Sequence, residues 1–403
     1  MIQKRRPDST WTGLCAFACC FVIAMFEGFD IQLVGVAGAQ LAGHFGFAPN
    51  ILGLMFSASL LGLFLGALLG GRCEARWGAA RVLTASMCAF GAMTVATAFA
   101  WDGFSLIGFR LCTGVGLGAA MPNLILVVTR TAPETWRRTL TTLLWAGTPI
   151  GGILVAQCGA AGLSWRTMFA IGGLLPMLCA PIVMALITDH PSRPPARCAA
   201  QVDDACPTIA APSRWVMVAA GTCFFCTLLA LYTLLNWLPI LLRDLGLTPA
   251  EAAQGAAIFN SGGLAGALLL GVLLRFLRPA HLLPFIYAAF VIALLLLALP
   301  SSSSGARLVA VGTCGLAVIG GQYALYGVVG TLYPVHSRTR GVTMAVASGR
   351  LGALIGPLLA GLVLQVGLGS QLALLSLAPI AIIAGLASYV MTHPLSVKRK
   401  PTE

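Results

Sequence analysis

Residues 11–39 read WTGLCAFACCFVIAMFEGFDIQLVGVAGA, an apolar run broken at its centre by Glu27-Gly28-Phe29-Asp30. A helix that crosses a bilayer needs roughly 17–25 such residues. An ionised side chain at bilayer depth costs roughly 2.5–3.5 kcal/mol on insertion scales. Positions i and i+3 share one helix face. Two carboxylates placed there repel each other unless at least one is protonated or paired. The stretch predicts a membrane-spanning helix whose carboxylates carry protons or hold a cation.

The rest of the chain agrees with that reading. Of its 403 residues, 58% are hydrophobic and 9% are charged, where soluble domains carry about 25% charged residues. Twelve apolar stretches follow one another, at about 11–38, 51–71, 81–100, 104–128, 139–160, 166–187, 215–242, 250–274, 281–299, 307–332, 342–366 and 370–391. With the N-terminus inside, 19 of the 24 Lys and Arg residues fall on inside segments. Only Arg166, Arg243 and Arg307 fall outside, and Arg110 and Arg350 lie within spans. That asymmetry predicts two cytoplasmic termini. The net charge of +12 therefore sets topology and contacts anionic lipid; it does not point to nucleic acid. The 13 cysteines lie mostly in the spans, and Cys223-Phe-Phe-Cys226 has no second pair or His beside it. These read as packing residues. The five histidines lack metal-ligand spacing, and no cleavable signal peptide is evident. Neither metal nor cofactor is expected.

The polar insert His190–Arg214, with five prolines and Asp203-Asp204, divides the spans six and six. It reads as a flexible cytoplasmic linker. The expected domains are an N-terminal bundle (1–189), the linker (190–214) and a C-terminal bundle (215–403). The halves look like a diverged repeat. Arg137-Arg138-Thr139 follows span four and Arg338-Thr339-Arg340-Gly341 follows span ten. Pro149 in span five is matched by Pro357 in span eleven. The expected fold is all-α, with twelve transmembrane helices in two parallel six-helix bundles, one large transporter architecture. Glycines four apart (Gly62, Gly66, Gly70) or otherwise clustered (Gly114, Gly116, Gly118; Gly349, Gly352, Gly356) predict close helix crossings.

Four segments carry a resemblance. They are Glu27-Gly-Phe-Asp30, Arg110-Leu-Cys-Thr-Gly-Val-Gly-Leu-Gly-Ala-Ala-Met-Pro-Asn123, Asn236-Trp-Leu-Pro239, and Arg340-Gly-Val through Gly349-Arg350-Leu-Gly. In these the chain resembles the major facilitator superfamily and, within it, the aromatic acid:proton symporters. The Asn236-Trp-Leu-Pro stretch and the run Gly-Gly-Gln-Tyr-Ala-Leu-Tyr at 320–326 look most like bacterial 3-(3-hydroxyphenyl)propionate transporters. The resemblance implies a multi-pass protein of the bacterial inner membrane. It also implies gating roles for Glu74, Arg76, Gly78 and Arg340. The loop after span two departs from the superfamily's Asp-Arg-x-Gly-Arg-Lys pattern. It reads Glu74-Ala75-Arg76-Trp77-Gly78-Ala79-Ala80-Arg81, with Ala75 where the Asp is expected. After span four, Arg130 stands where many members carry Glu.

Asp30 is the leading proton-coupling residue, with Glu27 beside it. Arg110 lies at a similar depth in span four. It either pairs with Asp30, holds a substrate carboxylate through a bidentate contact, or alternates between the two. Arg350, near the middle of span eleven, is a second anion contact. An aromatic acid needs flat apolar walls and a few oriented donors. Tyr232, Asn236, Trp237, Asn260, Gln322, Tyr323 and Tyr326 supply that set, and packing or an interfacial belt is the alternative for each aromatic. Asn123, after Pro122, reads as satisfying local backbone. The leading expectation is monomeric, proton-coupled uptake of a small aromatic carboxylate. Two alternatives stay open: export of drugs or organic anions, suggested by Gly-Thr-Pro-Ile-Gly-Gly in span five, and a non-transporting membrane sensor. No Walker motif or catalytic constellation supports an enzyme or a built-in ATP-driven pump.

Overall fold

The structure, a computed structural model, describes residues 9–132, 136–187, 214–299, 303–333 and 335–397. Residues 190–213 of the expected linker lie outside them. The described residues form α1 (Ser9–Phe45), α2 (Pro49–Trp77), α3 (Ala79–Ala98), α4 (Gly103–Thr131), α5 (Arg137–Leu144), α6 (Gly147–Ala160) and α7 (Trp165–Leu186). They continue with α8 (Arg214–Asp244), α9 (Pro249–Phe276), α10 (Pro279–Ala298), α11 (Ser304–Val329), α12 (Val335–Gln365), α13 (Gly369–Leu375) and α14 (Leu377–Val397). Among the described residues, eleven segments are long and apolar enough to cross a membrane: α1 to α4, α7 to α12, and α13 joined to α14.

Span five, expected as one stretch over 139–160, is instead split into α5 and α6. A helical proline has no amide donor and its ring clashes with the carbonyl four residues back. Pro149 therefore excludes the Trp145 carbonyl, and the chain tightens there through Ala146 N–H to Leu143 O (3.0 Å) and Thr148 N–H to Trp145 O (3.3 Å). Pro379 stands in the same relation to Leu375, where α13 ends. The other ends follow local chemistry. Asp102 and Ser105 form a capping box at α4, and Thr248 and Glu251 form one at α9. The Ser105 amide holds the Asp102 carboxyl below its ordinary range, as a hydrogen bond to the charged form does. Gly46 (φ 66°), Gly78 (φ 85°) and Gly246 (φ 94°) supply the left-handed backbone that lets the chain turn between helices.

The described chain divides into two compact units. Of the described residues, one holds those from 9 to 45, 58–159 and 163–187; the other holds 46–57, 160–162 and those from 214 onward. In the first, Gly62, Gly66 and Gly70 of α2 lie on the backbone of Leu111, Val115 and Ala119 of α4, and Gly114 and Gly118 lie on Ser59 and Leu63 in return. Gly28 and Gly151 join α1 to α6, and Gly91 meets Gly173 between α3 and α7. A Cβ at these crossings would collide with main chain, so only glycine permits the approach. In the second unit, α8 meets α12 through Gly352 and Gly356, α9 meets α11 through Gly262, Gly266 and Gly315, and α10 meets α14 through Gly385. The pairing order of one unit is thus repeated in the other. Side chains such as Leu178, Phe285, Ile292 and Leu386 turn outward and stay exposed, which water would penalise and lipid does not.

Candidate functional site

Asp30 and Arg110 are fully buried and directly bonded. The Arg110 guanidinium donates through Nη2 to Asp30 Oδ2 (2.7 Å) and through Nη1 to Oδ1 (3.2 Å). Three further elements fix this fork. The Thr94 hydroxyl of α3 donates to Asp30 Oδ1 (2.7 Å). Arg110 Nε donates to Ser59 Oγ of α2 (3.1 Å). The Phe169 ring of α7 lies 5.5 Å from the guanidinium carbon, a cation–π placement. A buried charge pair is tolerable only with good geometry and its remaining polar atoms satisfied, and α1, α2, α3, α4 and α7 all contribute to that here. Depth matching on the sequence pointed to this pairing. Thr94, Ser59 and Phe169 escaped notice because a hydroxyl or aromatic in an apolar span is common; only the placement beside a buried charge distinguishes them.

Each residue of Glu27-Gly28-Phe29-Asp30 meets a different part of the unit. Glu27 is buried one turn before Asp30. Gly28 lies on the Thr148 backbone of α6, and Phe29 lies against Gly172 of α7. α1 also runs to Phe45, beyond the expected limit of 38. Its extension is held by Gln40, which donates to Leu163 O (3.1 Å) and accepts from the Trp165 amide (2.7 Å).

In the second unit, several sequence-nominated residues are committed to local structure. Asn236 donates to Tyr232 O (2.7 Å) and Asn260 to Ala256 O (2.8 Å), each one turn back on its own helix. Asn123 of α4 does the same with Ala119 O (2.8 Å). Trp237 is buried edge-on to Phe56 (5.2 Å), with its indole N–H on Pro357 O (3.0 Å). Tyr232 is buried, and Tyr323 and Arg350 are half-buried on α11 and α12. Gln322 differs from the asparagines. Its side chain is 4% exposed, yet neither Nε2 nor Oε1 has a hydrogen-bond partner among the described residues. Leaving a buried polar group unpaired costs about 1–3 kcal/mol. Tyr326, one turn further along α11, packs edge-on to Phe224 of α8 (5.4 Å).

Of the expected gating residues, Glu74 accepts from Arg130 Nη2 (3.3 Å). Arg130, which stands where the resemblance implies an acid, thus pairs with an acid of α2. Arg76 and Arg340 are exposed, and Gly78 precedes α3 in the left-handed conformation. Among the described residues no cluster of His, Cys, Asp and Glu is placed to hold a metal ion.

The family model described as Major Facilitator Superfamily matches residues 20–328 and 221–403. The chain belongs to the major facilitator superfamily. It is thus a multi-pass membrane protein of a transporter family rather than an enzyme. Within this superfamily it is similar to the 3-(3-hydroxyphenyl)propionate transporter of Escherichia coli K12, at 39% identity over 97% of both chains. It is also similar to the gallate transporter of Pseudomonas putida, at 30% identity over 96% of this chain and 93% of that one. Solved transporter structures share the fold. A D-xylose–proton symporter superposes with a TM-score of 0.77 over 93% of this chain and 97% of its own, at 16% identity. A bacterial homologue of the human lysosomal transporter Spinster does so with a TM-score of 0.76 over 99% and 100%, also at 16% identity.

Proposed function

We propose that this superfamily member takes up a small aromatic carboxylate together with protons, by alternating access across a bacterial inner membrane. The observation that carries the coupling is the buried Asp30–Arg110 pair with its Thr94 and Ser59 supports. While Asp30 is ionised, its carboxylate occupies the guanidinium fork. A proton arriving at Asp30 weakens that hold and frees donors on Arg110, which then donate to the substrate carboxylate. Glu27 tunes the site, and Arg350 offers a second cation for the anion. Return of the proton to the cytoplasm restores the pair. The substrate class rests on the named activities of the relatives.

The cycle is assigned to two six-helix bundles, 1–189 and 215–403, joined by the cytoplasmic linker 190–214. Both termini are cytoplasmic, α5 with α6 serves as span five, and the protein acts as a monomer. The Gly-Thr-Pro-Ile-Gly-Gly run that raised the export reading places Gly147 and Gly151 against α1. That packing use is independent of transport direction.

The test is uptake of labelled 3-(3-hydroxyphenyl)propionate into membrane vesicles under an imposed proton gradient. Asp30→Asn is expected to abolish accumulation against a concentration gradient. Undiminished accumulation by this variant would overturn the coupling role of Asp30.

A further inference from the structure

The inference rests on the aromatic-acid reading and concerns what the second unit recognises. We propose that Gln322 reads a ring hydroxyl of the substrate, making it a specificity-determining residue for hydroxylated over unsubstituted aromatic acids. Three facts converge on it. First, Gln322 is buried with both amide atoms unpartnered among the described residues. The buried asparagines Asn123, Asn236 and Asn260 instead turn their amide nitrogens back to the carbonyl four residues earlier. Second, Gln322 and Tyr326 are four residues apart on α11 and share a face. Third, that face meets α8, where the Tyr326 ring packs on Phe224. An amide with free donors and a free acceptor therefore lies one turn from a pair of aromatic rings.

The chemistry of the amide narrows the ligand. Its Nε2 donates and its Oε1 only accepts. A carboxylate only accepts and cannot complete Oε1. A bare phenyl ring completes neither atom. A phenolic hydroxyl both donates and accepts, so it can serve either amide atom. Tyr326, exposed and backed by the buried Phe224, offers the apolar flank an aromatic ring requires. A site built to hydrogen-bond a substrate hydroxyl discriminates strongly against the analogue that lacks it, because the site's own polar atoms are then left unpaired.

The experiment compares uptake of 3-(3-hydroxyphenyl)propionate, 3-phenylpropionate and 3-(3-methoxyphenyl)propionate by cells making the full chain, normalised to membrane-inserted protein. Wild type is expected to prefer the hydroxylated acid by about tenfold or more. The methoxy acid, which accepts but cannot donate, is expected to be a poor substrate. Gln322→Leu and Gln322→Met are expected to lose that preference by taking up less of the hydroxylated acid while keeping 3-phenylpropionate uptake. Equal wild-type affinity for the hydroxylated and unsubstituted acids, read by competition without any variant, would overturn the proposal. So would an unchanged preference in both variants, or a uniform loss across all three acids, which marks packing or a buried water instead. Wild-type uptake of none of the three acids would instead bring down the aromatic-acid reading itself, and this inference with it.

Discussion

Asp30 accepts three donors at once: both terminal nitrogens of Arg110 and the Thr94 hydroxyl. Its charge is therefore balanced inside the protein, and removing one partner leaves the other stranded. Arg110→Leu is expected to cost about 3–5 kcal/mol and to lower the melting temperature of the detergent-solubilised protein. Asp30→Leu combined with Arg110→Leu is expected to recover most of that loss, because an apolar replacement of both charges is often neutral. A double variant that melts lower than Arg110→Leu alone would contradict the pairing. The charged members of this site were legible in the sequence. Glu27, Asp30 and Arg110 each break an apolar run, and helix rise brings Arg110 close to Asp30 in depth. Their supports were not, since Thr94 and Ser59 look like any hydroxyl in a span. Tyr232, Asn236 and Trp237 were legible as polar or aromatic. Which of them had already found partners in their own or neighbouring helices was not.

At the scale of the helix, hydropathy located the apolar centres and misjudged the ends. α2 continues through Arg72 and Arg76 to Trp77, and α1 through Gln40 to Phe45. Hydrogen bonding carries a helix past the point where apolar composition stops. Glycine spacing was the more informative signal: it pointed to close crossings, and the structure shows these glycines at the α2–α4 and α8–α12 seams. The division of span five needed a count from Pro149 back to Trp145, which an apolar average does not make. Gly151→Ala is expected to press a methyl group into the Met25 carbonyl of α1 and to destabilise the protein by about 1–3 kcal/mol. Gly108→Ala, on an exposed face with nothing near the added carbon, is expected to leave the melting temperature unchanged or slightly raised. Equal melting temperatures for the two variants would refute the crossing.

At the scale of the molecule, the distribution of Lys and Arg is the feature that bears on topology. Nineteen of 24 on one side predicts that both ends of the chain lie in the cytoplasm. Fusion of a green fluorescent protein after Glu403 is expected to fluoresce, and a periplasmic phosphatase fused there to be inactive. The reverse pattern would invert the topology. The repeat was legible only as scattered Arg and Pro matches; its fuller form is the shared pairing order of helices in each unit. Those pairings have a mechanical consequence. Where two helices touch backbone to backbone, no side chain lies between them that can change rotamer to absorb a displacement. Such a seam is stiff, so α2 with α4, and α9 with α11, travel as coupled rods. Compliance must then come from places where a helix lacks a backbone bond, such as Pro122 in α4, Pro239 in α8 and Pro357 in α12.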